Sequence, residues 1–482
     1  MESNLKKRAI ASTIWKFSER ILAQVVSLFV SIIIARILDP SDYSVVSLVT
    51  IFFTIANVFI SGGFNTALIQ KKDADPEDYS SVIFISVIIS LVAYLALFLS
   101  APLIATKYEQ PILVGVIRVM GLTLPVNAIK SIWCAYISSS LQFKKFFFAT
   151  IGGTVLSGVV GVTMAVCGLG VWALVAQQMT NTVVDTLILI ITTRIKFAKS
   201  ISFSRLKSLF QYGWKVFGSS LIGIIYSETT PLVIGLKFAP SDLSFYTKGK
   251  SFPGLLSTTV TNTLSAVLFP VIAKCQDDKE KVLLSTRMFV RYGSFITFPA
   301  LLGFLAVADN FVEVVLAAKW LDAVYYIRLF CIVAMFDIIG IGNCESIKAI
   351  GKSGVYLIME IIKKSLYFLV LIFFITLSPS AETLALSYVV CAFIALTVNS
   401  IPNITLIGYK IKYQFLDMFP SMICSLLMMA LVLLVGKIEM PLVLSLLVQV
   451  LFGGISYVLI SMMLNRALFS EVLGMMKGLK KR

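Results

Sequence analysis

The sequence predicts an all-α polytopic membrane protein of about fourteen transmembrane helices: two six-helix lobes related by a pseudo-two-fold axis normal to the membrane, plus two C-terminal helices. Three observations predict it. The 482 residues are 58% hydrophobic with a mean hydropathy of +0.93, against about 45–50% apolar residues in soluble chains. The apolar residues fall in blocks of roughly 20, the length that a ~30 Å hydrocarbon core demands. The motifs bounding the first block return about 200 residues later.

In order, the spans read as 11–37, 43–69, 79–105, 112–138, 146–167, 171–193, 209–237, 243–271, 292–308, 325–347, 355–375, 384–407, 415–435 and 442–463. Lys281 to Arg291 reads as an amphipathic run along the surface before the ninth span. The run from Ala11 to Leu38 is too long for a signal peptide and carries Glu19 and Arg20, so it reads as a retained first span. The positive-inside rule orients the set. With the N-terminus inside, the inner segments hold 26 Lys or Arg and the seven outer loops hold 3. Both termini are therefore expected in the cytoplasm. The outer loops are short, and the longest, about Ala308 to Val324, has room for one small interfacial helix.

Composition also excludes. The net charge of +16 lies in short loops and termini, which points to topology and away from nucleic acid. Seven scattered cysteines imply neither a disulfide framework nor a zinc site. Histidine, the commonest catalytic base and metal ligand, is absent. No catalytic residue, metal or cofactor is expected.

The repeat is read from its ends. Ile14-Trp15-Lys16 opens the first span and Gly213-Trp214-Lys215 the seventh; Pro40-Ser41-Asp42-Tyr43-Ser44 follows the first and Pro240-Ser241-Asp242-Leu243-Ser244 the seventh. Ile117-Arg118-Val119 is echoed by Ile327-Arg328-Leu329. Six helices separate the copies, so both have the same orientation, as in parallel-repeat transporters. The expected organisation is an N-terminal lobe over 1–193, a basic cytoplasmic linker over 194–208, a C-terminal lobe over 209–407, and helices 13 and 14 with a basic tail over 408–482.

Twelve of the 41 basic residues fall within spans. A cation at mid-bilayer costs ~2.5–3.5 kcal/mol, so each must snorkel, pair or face water. Arg36 and Lys237 are within reach of the outer surface, and Arg118 and Arg328 sit near the start of their spans. Lys363 and Lys364 follow Glu360 by three and four residues, the spacing of a helix-surface ion pair. Arg20 reads as about 14 Å into its span, with Lys16 on the same face. Lys248 and Lys250 read as roughly 8–12 Å from the outer surface, where Gly249 and Pro253 suggest a bent or broken helix. Lys16, Arg20, Lys215, Lys248 and Lys250 are the candidate contacts of an anionic substrate, phosphate or pyrophosphate being the class that such a charge selects. Glu19, Asp185 and Glu228 are candidate counter-ions or coupling groups, with Asp337 and Glu345 as further buried acids. A kinked helix with outward lysines, and a local Glu19 ion pair, are the plainer readings.

These motifs carry a family resemblance. Trp15-Lys16 with Arg20, Ala35-Arg36-Ile37-Leu38-Asp39-Pro40-Ser41-Asp42-Tyr43, and Ala67-Leu68-Ile69-Gln70-Lys71-Lys72-Asp73 resemble polysaccharide flippases of the Wzx type. So do Gln142-Phe143-Lys144-Lys145, Gly168-Leu169-Gly170-Val171-Trp172-Ala173-Leu174, Tyr212-Gly213-Trp214-Lys215 and Leu268-Phe269-Pro270-Val271. The likeness covers residues 8 to 410 and is strongest to the branch exporting colanic acid, teichuronic acid and similar units. Ser44 replaces a usual glycine, Ser61-Gly62-Gly63 stands where an acid is frequent, and Lys248 where arginine is. The resemblance implies the fold of the MOP superfamily, two six-helix bundles with a cationic central cavity. It implies an undecaprenyl-pyrophosphate-linked oligosaccharide as substrate, a bacterial inner-membrane location, and the polysaccharide polymerase and chain-length machinery as candidate partners of a monomer. A proton or sodium gradient and the membrane potential stay open as energy sources, since Gly351-Lys352-Ser353 lacks the preceding glycine of a P-loop. The competing readings are a multidrug or cation antiporter of the same superfamily, a peptidoglycan-precursor flippase, a membrane enzyme of polysaccharide assembly, and a scaffold.

Overall fold

The computed structural model describes residues 2–61, 63–71, 74–140, 142–198 and 200–480, with the side chains at 2–14, 16, 17, 21, 212, 266–270, 353 and 475–480 outside the described set. Among the described residues the chain is helical without a strand, and it divides into two compact units, Met1–Ser244 and Phe245–Arg482.

The first unit contains α1 (Glu2–Ile37), α2 (Pro40–Ser61), α3 (Phe64–Gln70), α4 (Pro76–Lys107), α5 (Ile112–Gly121), α6 (Thr123–Ser140), α7 (Phe143–Val166), α8 (Val171–Thr192) and α9 (Phe203–Lys237). The Pro-Ser-Asp motif does the same job twice. After α1, the Asp39 backbone N–H donates to Asp42 Oδ2 at 3.3 Å; after α9, the Ala239 N–H donates to Asp242 Oδ2 at 3.2 Å. An aspartate near a helix start satisfies an orphan N–H and meets the positive end of the helix dipole. Ser44 is fully buried behind the first of these turns, so the site tolerates only a small side chain.

Between α2 and α3 the chain breaks at Gly63, where φ is +76° and a Cβ would stand 2.1 Å from the Gly213 carbonyl oxygen. Only glycine adopts that backbone routinely, and only a second glycine lets α9 cross so closely. This crossing ties α9 to α2 and α3. The basic linker is tied down too. Ala198 N–H donates to Ser80 Oγ at 2.8 Å, Ser202 N–H to Ser81 Oγ at 3.0 Å, and Trp133 Nε1 to the Thr193 carbonyl at 3.0 Å. Arg205, in the first turn of α9, pairs with Asp75, Glu77 and Asp78 at the start of α4. Residues 203–208 are thus helical, and α9 belongs by its contacts to the first unit.

The Asp78 backbone N–H and the Arg205 guanidinium hold the Asp75 carboxyl below the usual carboxylate range. A depressed folded-state value means stability present above the unfolded value of about 3.9 and lost as pH falls through the folded value. Asp75→Asn is therefore expected to lower the melting temperature by the same amount at pH 7 and pH 5.5. The gap from wild type should close as pH falls below 4. A gap that stays the same size from pH 7 down to the lowest pH at which both proteins remain folded would show that the carboxylate charge contributes nothing.

The second unit holds most of α10 (Pro240–Lys274), then α11 (Lys279–Ala306), α12 (Ala308–Phe311) with a π turn at Val312–Leu316 and a 3-10 turn at Ala318–Trp320, α13 (Ala323–Ala349), α14 (Ser353–Leu377), α15 (Ala381–Ala385), α16 (Ser387–Leu406), α17 (Ile411–Val435), α18 (Leu442–Leu464) and α19 (Arg466–Lys480). A buried amide network joins α13, α16 and α17: Asn343 Nδ2 donates to Gln414 Oε1 at 2.9 Å, Ser400 Oγ to the same oxygen at 2.8 Å, and Asn403 Nδ2 to the Asn343 carbonyl at 3.0 Å. Such groups act as interhelical glue in an apolar surround.

Among the described residues, twelve helical segments are long and apolar enough to cross a membrane. They coincide with twelve of the fourteen sequence-read spans. The other two are α10, rich in Ser and Thr, and α14, which carries Glu360, Lys363 and Lys364. Two expectations are corrected. Lys281 to Arg291 is not a separate surface run but the first turns of α11, because Asp417 of α17 neutralises Arg287 and Arg291 and lets the helix continue. Gly249 and Pro253 do not break α10, which is helical throughout. Gly249 instead admits α13: a Cβ there would lie 2.3 Å from Tyr326 Cβ.

Candidate functional site

In the first unit, Trp15 packs edge-on against Phe147 of α7 with ring centroids 5.1 Å apart, fixing the rotation of α1. The side chain of Lys16 lies outside the described residues. Glu19 is half-buried and Arg20 is exposed. On α9, Lys215 and Trp214 are exposed just beyond the Gly213 crossing. α1 is 36 residues long and ends at the fixed Asp39 turn, so Arg20 lies about 26 Å along the helix from Ile37. Lys215 lies about 33 Å from Lys237 on the same count. Both stand near the N-terminal boundary of a ~30 Å core, away from its middle.

Asp185 of α8 meets Lys130 of α6, Nζ to Oδ2 at 2.6 Å, and a cavity of about 310 Å³ beside Lys130 is walled by Asn57, Asn127 and Ser131. Glu228 of α9 is half-buried, with the Ser227 hydroxyl donating to it at 3.3 Å.

In the second unit, Lys248 and Lys250 lie about 12 and 15 Å along α10 from Pro240. Two residues apart on a helix, they point some 200° apart. Lys248 Nζ lies 5.9 Å from the centre of the Trp320 ring. Lys250 enters an aromatic cage. Its Nζ stands 4.6 Å from the Tyr388 ring centre, 5.6 Å from Tyr246 and 5.7 Å from Phe330, and it donates to the hydroxyls of Tyr388 at 3.3 Å and Tyr246 at 3.4 Å. Rings and hydroxyls stabilise a cation without removing its charge. Tyr246 precedes Lys250 by one turn and could have been read from the sequence; Tyr388 lies 138 residues away and could not.

The sequence also missed a charged cavity of about 320 Å³ between α13, α14 and α16. Lys348 pairs with Glu345 at 2.6 Å, and Lys363, itself buried, pairs with Glu360. Asp337 is exposed to this cavity and makes no hydrogen bond or ion pair among the described residues. The i, i+3 spacing announced both pairs; nothing in the sequence placed them around one space.

The chain is matched among known proteins in sequence and in fold. A family model described as "Polysaccharide biosynthesis protein" matches residues 33–325. The chain is 24% identical to lipopolysaccharide biosynthesis protein WzxC of Escherichia coli (strain K12), over 72% of this chain and 71% of that protein. It is 23% identical to succinoglycan biosynthesis transport protein ExoT of Rhizobium meliloti (strain 1021), over 60% and 58%. Among solved structures, lipid II flippase MurJ in an inward closed conformation matches at a TM-score of 0.77 and 16% identity, over 95% of this chain and 99% of that one. An inward-facing MATE family multidrug resistance transporter of the MOP superfamily matches at 0.63 and 15%, over 80% and 96%. The fold expected from the sequence is thus the fold of a known superfamily. With membrane-spanning helices, intramembrane lysines and a family match over more than half its length, this multi-pass membrane chain belongs to the polysaccharide biosynthesis protein family.

Proposed function

We propose that the chain is a flippase that moves undecaprenyl-pyrophosphate-linked polysaccharide repeat units from the cytoplasmic to the outer leaflet by alternating access. The observation that carries this reading is the exposure of Arg20 and Lys215 on helices otherwise apolar enough to cross a membrane. Cations at the rim of such helices are placed to receive an anion that enters from that side, and cations on membrane spans mark substrate pathways. Lys250 adds a cation held by rings and hydroxyls deep on α10. An anionic lipid headgroup is the substrate class that such charges would shield during passage through hydrocarbon. Lys16, Arg20 and Lys215 would engage the pyrophosphate near the cytoplasmic ends of their helices, and Lys248 further along. The relatives named for lipopolysaccharide biosynthesis and succinoglycan transport support this reading. The location that goes with it is a bacterial inner membrane, with both termini cytoplasmic and a cation gradient or the membrane potential as driving force.

The test is deletion of the gene in its host, with lipid-linked oligosaccharide assayed on each leaflet. Wild type should clear the cytoplasmic accumulation. A variant carrying Lys16→Ala, Arg20→Ala, Lys215→Ala and Lys248→Ala, verified as inserted, should flip at least 100-fold more slowly. Rescue by the variant would sink the residue assignment. Normal flipping in the deletion strain would sink the function.

A further inference from the structure

We propose that the cavity between α13, α14 and α16 is a carbohydrate subsite that holds a sugar of the transported repeat unit. The inference rests on the flippase reading and adds where the saccharide, as distinct from the pyrophosphate, is recognised.

Two acceptors in this space lack donors. Asn399 is almost wholly buried on the cavity wall, and its Oδ1 has no hydrogen-bond partner. The contrast with its neighbours is informative. One residue on, Ser400 donates to Gln414; one turn on, Asn403 bonds to Asn343. The same helix thus satisfies its other buried polar groups within the protein and leaves the amide oxygen of one cavity-wall residue unmet. Asp337, exposed to the same space, is the second. An unmet buried acceptor costs about 1–3 kcal/mol, and a turn of the Asn399 amide toward the cavity would let a donor-bearing occupant meet it.

The walls choose among occupants. Lys348, Lys363 and Lys364 face Asp337, Glu345 and Glu360, a formal balance of zero. A simple anion would meet three carboxylates and offer nothing to Asn399 Oδ1. A bare cation would meet three ammonium groups. The volume of about 320 Å³ falls in the range of about 300–1,000 Å³ typical of small-ligand sites and is some ten times one water's ~30 Å³ share. A sugar ring brings hydroxyls that donate to Asp337 and Asn399 and accept from lysine. The Tyr356 and Tyr367 rings on the wall offer apolar faces to its C–H groups. A neutral, polyhydroxylated ligand is what this mixture of donors and acceptors fits.

Cys344 lies on the wall of the cavity and reports occupancy without requiring transport. With the other six cysteines replaced by serine or alanine, the purified full-length protein in nanodiscs is labelled with a small membrane-permeant maleimide. The probe is the free oligosaccharide released by mild acid from the host's own lipid-linked units. It should slow Cys344 labelling at least fivefold, and inorganic pyrophosphate should not. Asp337→Ala and Asn399→Ala should each weaken the oligosaccharide's effect at least tenfold; Asp337→Asn, which keeps an acceptor, should restore part of it. Protection by sodium chloride alone would mean a cation site and overturn the proposal. Protection by pyrophosphate and not by sugar would mean an anion site and overturn it equally. No protection by the oligosaccharide, with wild type still clearing cytoplasmic lipid-linked units in the deletion strain, would overturn the subsite and leave the flippase standing. Normal flipping without the gene, with Cys344 still protected, would leave a sugar site and remove the flippase.

Discussion

Asp417→Ala is expected to destabilise the protein by about 3 kcal/mol, some two orders of magnitude in the folding equilibrium. The buried carboxylate accepts four hydrogen bonds: from Arg287 Nε and Nη2 at 2.8 Å each, from Arg291 Nε at 2.8 Å, and from the Tyr409 hydroxyl at 2.9 Å. Removing it strands two guanidinium groups on α11. Breaking a buried pair typically costs ~3–5 kcal/mol, because the surviving charge is left without compensation. Both arginines keep some access to water, which places the expected loss at the low end. Asp417→Asn keeps an acceptor and should lose about half as much. In the double variant Arg287→Met/Asp417→Ala the two losses should fall short of additive, since one stranded charge is gone. Thermal or denaturant unfolding in detergent reads all four proteins. A loss below 1 kcal/mol in Asp417→Ala would mean that α11 holds its first turns by packing alone.

This network explains why the start of α11 was not legible in the sequence. Lys281 to Arg291 has the basic, amphipathic pattern of an interfacial run. What turns it into a continuous helix is a carboxylate 126 to 130 residues further along the chain. The same distance problem hid the cage around Lys250, whose Tyr388 arrives on α16. What was legible is local. The Pro-Ser-Asp turns place their caps through a three-residue reach, and the Glu360–Lys363 pair follows from spacing alone. Gly249 was legible as a residue that needs explanation, yet its type serves two purposes. A glycine can break a helix or admit a neighbour, and only Tyr326 of α13 decides for the second. The charged cavity was invisible because its wall comes from three helices, each pair of charges on it reading as an ordinary surface pair.

Asp185→Ala should be as damaging, at about 3 kcal/mol, and paired with Lys130→Met it separates two roles that the sequence left open for this acid. Its partner Lys130 Nζ lies 2.6 Å from Oδ2 and is mostly shielded from water, so the single variant leaves an ammonium unpaired between α6 and α8. Lys130→Met should cost a similar amount for the mirror reason. Replacing both partners of a buried pair with apolar residues is often neutral, so Lys130→Met/Asp185→Ala should recover to within about 1 kcal/mol of wild type. The recovered double variant is the useful protein. If Asp185 serves only as a counter-ion, it folds and flips at a rate within a few-fold of wild type. If Asp185 carries a proton or sodium ion through the cycle, it folds and does not flip. Melting temperature and leaflet-resolved lipid-linked oligosaccharide, measured on the same four proteins, tell stability from coupling, which neither single variant can do because each loses its fold and its activity together.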